Sequence, residues 1–184
     1  MSSLSNKRII LGVTGGIAAY KSAEIIRRLQ DQGAEVRVVM TPAASEFIRP
    51  LTMQALSGYP VHTNLLDSEA EAGMGHIELA RWADLLLIAP ASADFIANMV
   101  HGRADSLLSA VHLATPAKVA VAPAMNQAMW NHPASLANIA VLRERGVTLI
   151  GPEDGLQACG DIGPGRMEQP DGVVSAVRRL FNTG

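Results

Sequence analysis

Three places in this sequence hold groups able to do chemistry. His76 stands in the glycine-flanked run GMGHIELARWAD. An imidazole exchanges protons near neutral pH, although a lone histidine is more often structural than catalytic. Cys159 and Arg166 ride on GLQACGDIGPGRM, residues 155 to 167. Exposed thiols oxidise, so a free cysteine on a glycine-rich surface loop suggests a purpose for it. The third place is a turn, where Gly15 and Gly16 break KRIILGVTGGIAAYK between an apolar run and a helical pattern. Such a turn leaves N–H groups unpaired at a helix N-terminus, which favours an anion. The spacing of Gly12, Gly15 and Gly16 is not GxGxxG, and no GK[ST] follows. A plain dinucleotide fingerprint and a P-loop are both poor fits, and a tight turn without a ligand stays open.

The elements that must position these groups follow from hydrophobic periodicity. Ile9, Ile10, Leu11 and Val13 predict a buried strand, and Ile17 to Leu29 has helical spacing. Gly33 suits a C-cap, and Glu35 to Met40 reads as a second strand. Thr41 fits an N-cap with Pro42 at the first helical position. It equally fits a ligand contact at the end of a parallel strand. Ala43 to Arg49 and Thr52 to Ser57 read as short helices. Val61 to Gly75 reads as polar and irregular, with an acidic patch at Asp67, Glu69 and Glu71. Leu85 to Ala89 predicts a buried strand that exits through Pro90-Ala91-Ser92-Ala93, followed by helices over Asp94 to Val100 and Ser106 to Leu113. Lys118 to Ala122 predicts a strand that exits through Pro123-Ala124-Met125-Asn126. Helices over Asn126 to Trp130 and Ala134 to Arg145 come next, then a strand at Val147 to Ile150. The glycines of 155 to 167 argue against a regular element and suggest a mobile lid. Val173 to Phe181 predicts a last amphipathic helix. This alternation points to an α/β, Rossmann-like doubly wound parallel sheet flanked by helices. Gly15, Thr41, Ser92 and Asn126 would then share its carboxyl edge, where such sheets bind ligands.

Composition bounds the function. The 184 residues suit one domain, and 48% are hydrophobic against 17% charged, so an excess of apolar surface is expected to be buried between subunits. A net charge of -2 offers no electrostatic case for nucleic acid or an anionic membrane. The single cysteine excludes an internal disulfide and suits a reducing compartment. No signal peptide is visible at the N-terminus. The longest apolar run, Leu85 to Ala91, is too short to span a bilayer. No metal site is expected.

Taken together, GVTGGIAAYK, GHIELARWADLLLIAPASAD, PAMN at 123 to 126 and ACGDIGPGRM at 158 to 167 resemble the flavin-dependent cysteine decarboxylases. The resemblance is to the branch that acts on 4'-phosphopantothenoylcysteine in coenzyme A biosynthesis, and it runs from Lys7 to Phe181. It implies FMN, held by Gly15, Gly16, Ile17, Thr41, Phe47, Ser92 and Met125. It implies catalytic roles for His76, Asn126 and Cys159, and substrate contacts from Asn126, Ala158, Gly160, Asp161, Arg166 and Met167. It further implies a cytoplasmic homo-oligomer built from trimers, often a dodecamer, with active sites between subunits. In bacteria the family implies a following phosphopantothenate–cysteine ligase domain, and the abrupt end at Gly184 reads as a cut at that junction.

The reaction so implied oxidises the cysteinyl group to a thioaldehyde, expels carbon dioxide and reduces the resulting enethiolate, with no net redox change. Residue chemistry agrees. An imidazole at 76 can take a proton. The uncharged amide of Asn126 can hold a carboxylate without stabilising it against leaving. A thiol at 159 can donate a proton during reduction. Peptidyl-cysteine decarboxylases, flavin prenyltransferases and non-catalytic FMN-binding regulatory subunits are the alternatives. ACGDIGPGRM argues against the first, PAMN with ACGD against the second, and intact His76, Asn126 and Cys159 against the third.

Overall fold

The computed structural model describes residues 3–65 and 75–182. Five parallel strands form the central sheet: β1 (Arg8–Val13), β2 (Glu35–Met40), β3 (Leu85–Ala91), β4 (Lys118–Pro123) and β5 (Thr148–Leu149), in the order β2-β1-β3-β4-β5. Around them lie α1 (Ala19–Asp31), α2 (Ala44–Phe47), α3 (Pro50–Ser57), α4 (His76–Trp82) and α5 (Ala93–His101). The later helices are α6 (Leu107–Ala114), α7 (Gln127–Asn131), α8 (Pro133–Glu144) and α9 (Pro170–Asn182).

Side-chain alternation divides the core into two layers. Ile9, Leu11 and Val13 of β1 pack with Ile25 and Leu29 of α1 and with Val173 and Val177 of α9. Ile10, with Leu86 and Ile88 of β3, faces Phe95 of α5, Leu108 of α6 and Ile139 of α8. Both faces of the central strands are therefore covered, so β1 and β3 read as near-continuous apolar runs. Burying each such side chain contributes about 1.5–3 kcal/mol, and these strands bury nearly every one. The sheet carries the fold, and the sequence expectation of a doubly wound α/β domain holds. Gly12 permits a close contact between sheet and helix layer, since a Cβ there would stand 2.6 Å from Leu108 Cδ1.

Four expectations need correction. Pro90 and Ala91 do not belong to an exit loop: β3 continues through them, with Ala91 opposite Pro123 after a register shift past Ile88. Residues 155 to 167 are not irregular, because β6 (Glu153–Leu156) and β7 (Ile162–Arg166) form an antiparallel hairpin. Gly160 (φ 91°) and Gly165 (φ 120°) take left-handed backbone there, which only glycine adopts without strain. His76 begins α4, a helix the periodicity did not announce. Thr41 Oγ1 does accept from Ala44 N at 3.2 Å, but α2 starts at Ala44 rather than Pro42. The acidic patch at Asp67, Glu69 and Glu71 lies outside the described residues. Among the described residues no helix is long and apolar enough to cross a membrane.

Candidate active site at the carboxyl edge of the sheet

Strand order reverses direction between β1 and β3, the switch point where an open α/β sheet leaves a crevice beyond its strand ends. A cleft of about 970 Å³ opens there. Gly15, Gly16 and Ile17 line it after β1, Thr41 after β2, Ser92 after β3, and Met125 and Asn126 after β4. The β6–β7 hairpin closes one side with Ala158, Cys159, Arg166 and Met167. The structure thus gathers eleven of the fifteen site residues anticipated from sequence. His76, Phe47, Gly160 and Asp161 do not line the cleft. His76 sits at the start of α4, and Phe47 is 54% exposed on α2. Asp161 reaches the site indirectly, through Asn126.

The floor of the cleft is built to meet an anion. Among the described residues, no hydrogen bond takes the backbone N–H of Gly15, Gly16 or Ile17, which precede the 13-residue α1. Gly16 faces open space, with nothing within 4 Å of a Cβ built on it. Gly15 is crowded instead: its Cβ would stand 2.6 Å from that of Ala43, so glycine lets the exits of β1 and β2 touch. At the second helix entrance Ser92 Oγ accepts from Phe95 N at 3.1 Å and caps α5. Thr14 locks the two exits together, donating to Pro90 O at 2.6 Å and accepting from Ser92 N at 2.9 Å. Two helix N-termini consequently aim their positive ends at one cleft.

On the opposite wall Asn126 caps α7, its Oδ1 accepting from Ala128 N at 2.8 Å. That bond fixes the amide plane and turns Nδ2 toward the hairpin. Nδ2 lies 2.9 Å from Asp161 Oδ2, 3.3 Å from Cys159 Sγ and 3.3 Å from Gln157 Oε1. Cys159 is exposed. The hairpin is docked by Met125 N donating to Gly165 O at 2.9 Å. Gly165 must be glycine for a second reason, because a Cβ would stand 2.3 Å from Met125 O.

Lys21 was not read as a site residue, yet it lines the cleft and is only 5% exposed. Its Nζ donates to Met167 O at 2.8 Å and ties α1 to the root of the hairpin. Burial, and then the charge of Arg166, hold its pKa below the usual lysine value, while Glu153 and Glu168 work the other way. The detectable signal was a lysine on the apolar stripe of α1. Beside it, Glu153 and Glu168 share a site. Burial and the hydrogen bond to Glu153 raise the pKa of Glu168. Burial would raise that of Glu153 too, but bonds from Gln169 and Glu168 outweigh it and bring it down. Two neighbouring carboxyl groups whose pKa values are pushed in opposite directions thus lie at the root of the hairpin. Among the described residues no His/Cys/Asp/Glu cluster could hold a metal ion.

A parallel sheet that aims two helix N-termini and a glycine turn into the crevice of its switch point defines a phosphate-binding α/β protein of the nucleotide-cofactor class. Within that class the chain belongs to the Flavoprotein family, whose model matches residues 1–182. It is 59% identical over 180 residues to the coenzyme A biosynthesis bifunctional protein CoaBC of Escherichia coli, a match covering 98% of this chain and 44% of that protein. The chain spans less than half the length of the curated relatives it matches. Among solved structures, a Cys-to-Ser mutant of a PPC decarboxylase complexed with pantothenoylaminoethenethiol superposes with a TM-score of 0.83 at 34% identity. That match covers 96% of this chain and 98% of the other. The FMN binding protein AtHal3 superposes with a TM-score of 0.82, also at 34% identity, over 97% of this chain and 98% of its own.

Proposed function

We propose that this chain is an FMN-dependent decarboxylase that converts 4'-phosphopantothenoylcysteine to 4'-phosphopantetheine in coenzyme A biosynthesis. The observation that carries the reading is the meeting of Asn126 Nδ2 and Cys159 Sγ at 3.3 Å on the wall of a cleft whose floor presents unpaired N–H groups. The name of the PPC decarboxylase neighbour supports the activity, and that of the E. coli relative supports its place in coenzyme A biosynthesis.

The residues fit FMN. The open face of Gly16 and the N–H groups of Gly15 and Ile17 suit its phosphate, with Thr41 and Ser92 beside them and Met125 across the cleft. Bound FMN supplies a reversible two-electron couple. The protein's own groups do the rest. Asn126 holds the substrate carboxylate with a neutral donor, so the carboxylate is oriented without the ion pair that would stabilise it against leaving. Cys159 holds a proton at Sγ within reach of the same substrate. Ala158, Arg166 and Met167 flank the substrate on the hairpin side. Asp161 acts through Asn126 rather than by touching substrate, and Gly160 provides the left-handed turn that presents Cys159.

His76 lies outside the cleft of its own chain, and apolar Ile17 (66% exposed), Tyr20 (63%) and Leu156 (63%) rim that cleft. This combination favours a homo-oligomer in which His76 of one subunit completes the site of a neighbour, and the family resemblance favours trimers as its building unit. A ligase domain following residue 184 in the native protein accords with the length of the CoaBC relatives. The test is incubation of the flavin-loaded protein with 4'-phosphopantothenoylcysteine, reading released carbon dioxide and product mass. One carbon dioxide per 4'-phosphopantetheine is expected. Flavin-loaded protein that releases none would be a regulatory subunit.

A further inference from the structure

Beside the Met125–Gly165 backbone bond, Gln157 is a side chain through which the hairpin grips the sheet. Its backbone closes the turn that carries Cys159: Gln157 N donates to Asp161 O at 2.8 Å, and Gly160 N donates to Gln157 O at 2.9 Å. Its side chain folds the other way, toward the exit of β4. There Oε1 accepts from Gln127 N at 2.9 Å and from Asn126 Nδ2 at 3.3 Å. Nε2 donates to Pro164 O at 3.1 Å and to Met125 O at 3.4 Å. One planar amide therefore joins the cysteine turn, β7 and the loop that bears Asn126. It uses the donor end and the acceptor end of one planar amide, a group shared only with asparagine, and asparagine is one methylene too short to span the same partners.

We propose that Gln157 is a positioning residue: it sets Cys159 Sγ against Asn126 Nδ2 by clamping the cysteine turn to the β4 exit loop. It acts when the proton leaves Cys159 for the substrate, not in holding FMN. The inference rests on the decarboxylase reading. Asn126 keeps its own bond to Ala128 N and its contact with Asp161 without Gln157. Cys159 sits on the turn that Gln157 closes, and its own contact with the sheet edge is the 3.3 Å approach to Asn126 Nδ2. Loosening Gln157 should therefore penalise proton return more than loss of carbon dioxide.

The test compares the full chain, Gln157→Met and Gln157→Glu, each loaded with FMN. Gln157→Met removes all four side-chain bonds at nearly constant shape. Flavin content and the single-turnover release of carbon dioxide should stay near wild type. Completed turnover should fall roughly ten- to a hundredfold, the scale of a misplaced reacting group. A product two hydrogens lighter than 4'-phosphopantetheine should appear, and the Gln127 amide should exchange faster with deuterium. Gln157→Glu keeps the acceptor for Gln127 N but turns an anionic oxygen on two carbonyls. Its Gln127 amide should stay protected, and its deficit should shrink at acidic pH, where the protonated side chain can donate again. If Gln157→Met does not fold, the pH dependence of Gln157→Glu decides. Wild-type product ratios together with unchanged Gln127 exchange would overturn the proposal. So would a defect confined to KM, which would make Gln157 a substrate contact. Absence of carbon dioxide from the wild type would instead sink the decarboxylase reading itself.

Discussion

Asn126 Nδ2 stands 3.3 Å from Cys159 Sγ and 2.9 Å from Asp161 Oδ2. Two hydrogens thus face an exposed thiol, a carboxylate and the oxygen of Gln157, while Oδ1 is committed to Ala128 N. An arriving substrate carboxylate must compete with Asp161 for this amide, so Asn126 is pre-aimed rather than free to rotate.

Asn126→Asp should separate capping from binding. The aspartate still caps α7, since its oxygen accepts from Ala128 N. It no longer donates, and it faces Asp161 with like charge. Carbon dioxide release should drop roughly a hundredfold or more, the usual effect of removing an aimed donor. Circular dichroism and flavin content should stay near wild type. Rapid-quench measurement of carbon dioxide checks the first expectation, and a variant that decarboxylates normally would remove Asn126 from the site.

Two neighbouring glycines give contrasting expectations. Gly15→Ala drives a Cβ to 2.6 Å from that of Ala43 and 3.1 Å from its carbonyl carbon. It should lower thermal stability and flavin content together. Gly16→Ala meets no protein atom within 4 Å. It should leave the apoprotein as stable as wild type and weaken FMN alone, because its methyl occupies the space offered to the phosphate. Calorimetry of the apoproteins with flavin titration distinguishes the two. Equal FMN affinity in Gly16→Ala and wild type would move the phosphate elsewhere.

The sheet was legible because burial on both faces writes itself into consecutive residues. Leu85 to Ile88 admits little besides a covered strand, and the Glu35–Met40 boundaries came out unchanged. The hairpin was not legible, for the same physical reason reversed. Of β7 only Gly165 is buried, and β6 buries nothing fully, so no alternation marks them. Their pairing depends on contacts with Met125 and Gln127, remote in sequence. Thr14, Lys21 and Gln157 were missed because each acts on a backbone carbonyl or amide, a partner without sequence identity. The motifs located Asn126 and Cys159, but only the fold brings Asp161 onto the same amide.

Glu168→Gln tests the carboxyl pair beneath the hairpin. The pKa of Glu168 is raised in the folded protein, so the folded state holds its proton more tightly than the unfolded state does. That contribution to stability is complete below the ordinary carboxylate range and is lost as pH rises through the raised value. Glutamine donates toward Glu153 at every pH and keeps an oxygen for Gln169 N, which Glu168 Oε1 now serves at 3.2 Å. The variant should match wild type at acidic pH and unfold at a higher temperature near neutrality. Thermal midpoints on both sides of the carboxylate range check this, and a pH-independent difference would contradict the raised pKa of Glu168.

Cys159→Ser divides the proposed cycle. Serine nearly matches cysteine in size, so Asn126 Nδ2 keeps a neighbour, and the turn closed by Gln157 N and Gly160 N is unaffected. A hydroxyl is a far weaker acid than a thiol, so the group that should return a proton to the substrate holds it instead. Oxidation and loss of carbon dioxide rely on the flavin, Asn126 and a neighbouring subunit's His76, none of which the substitution touches, and the first turnover should proceed. Completion should then stall, with the flavin left reduced and a species two hydrogens lighter than 4'-phosphopantetheine accumulating. Stopped-flow absorbance follows the flavin, and mass spectrometry of the quenched mixture identifies the species. Normal product and a flavin that reoxidises in each cycle would show the thiol to be idle. The Asn126–Cys159 contact would then serve only to hold the hairpin against the sheet.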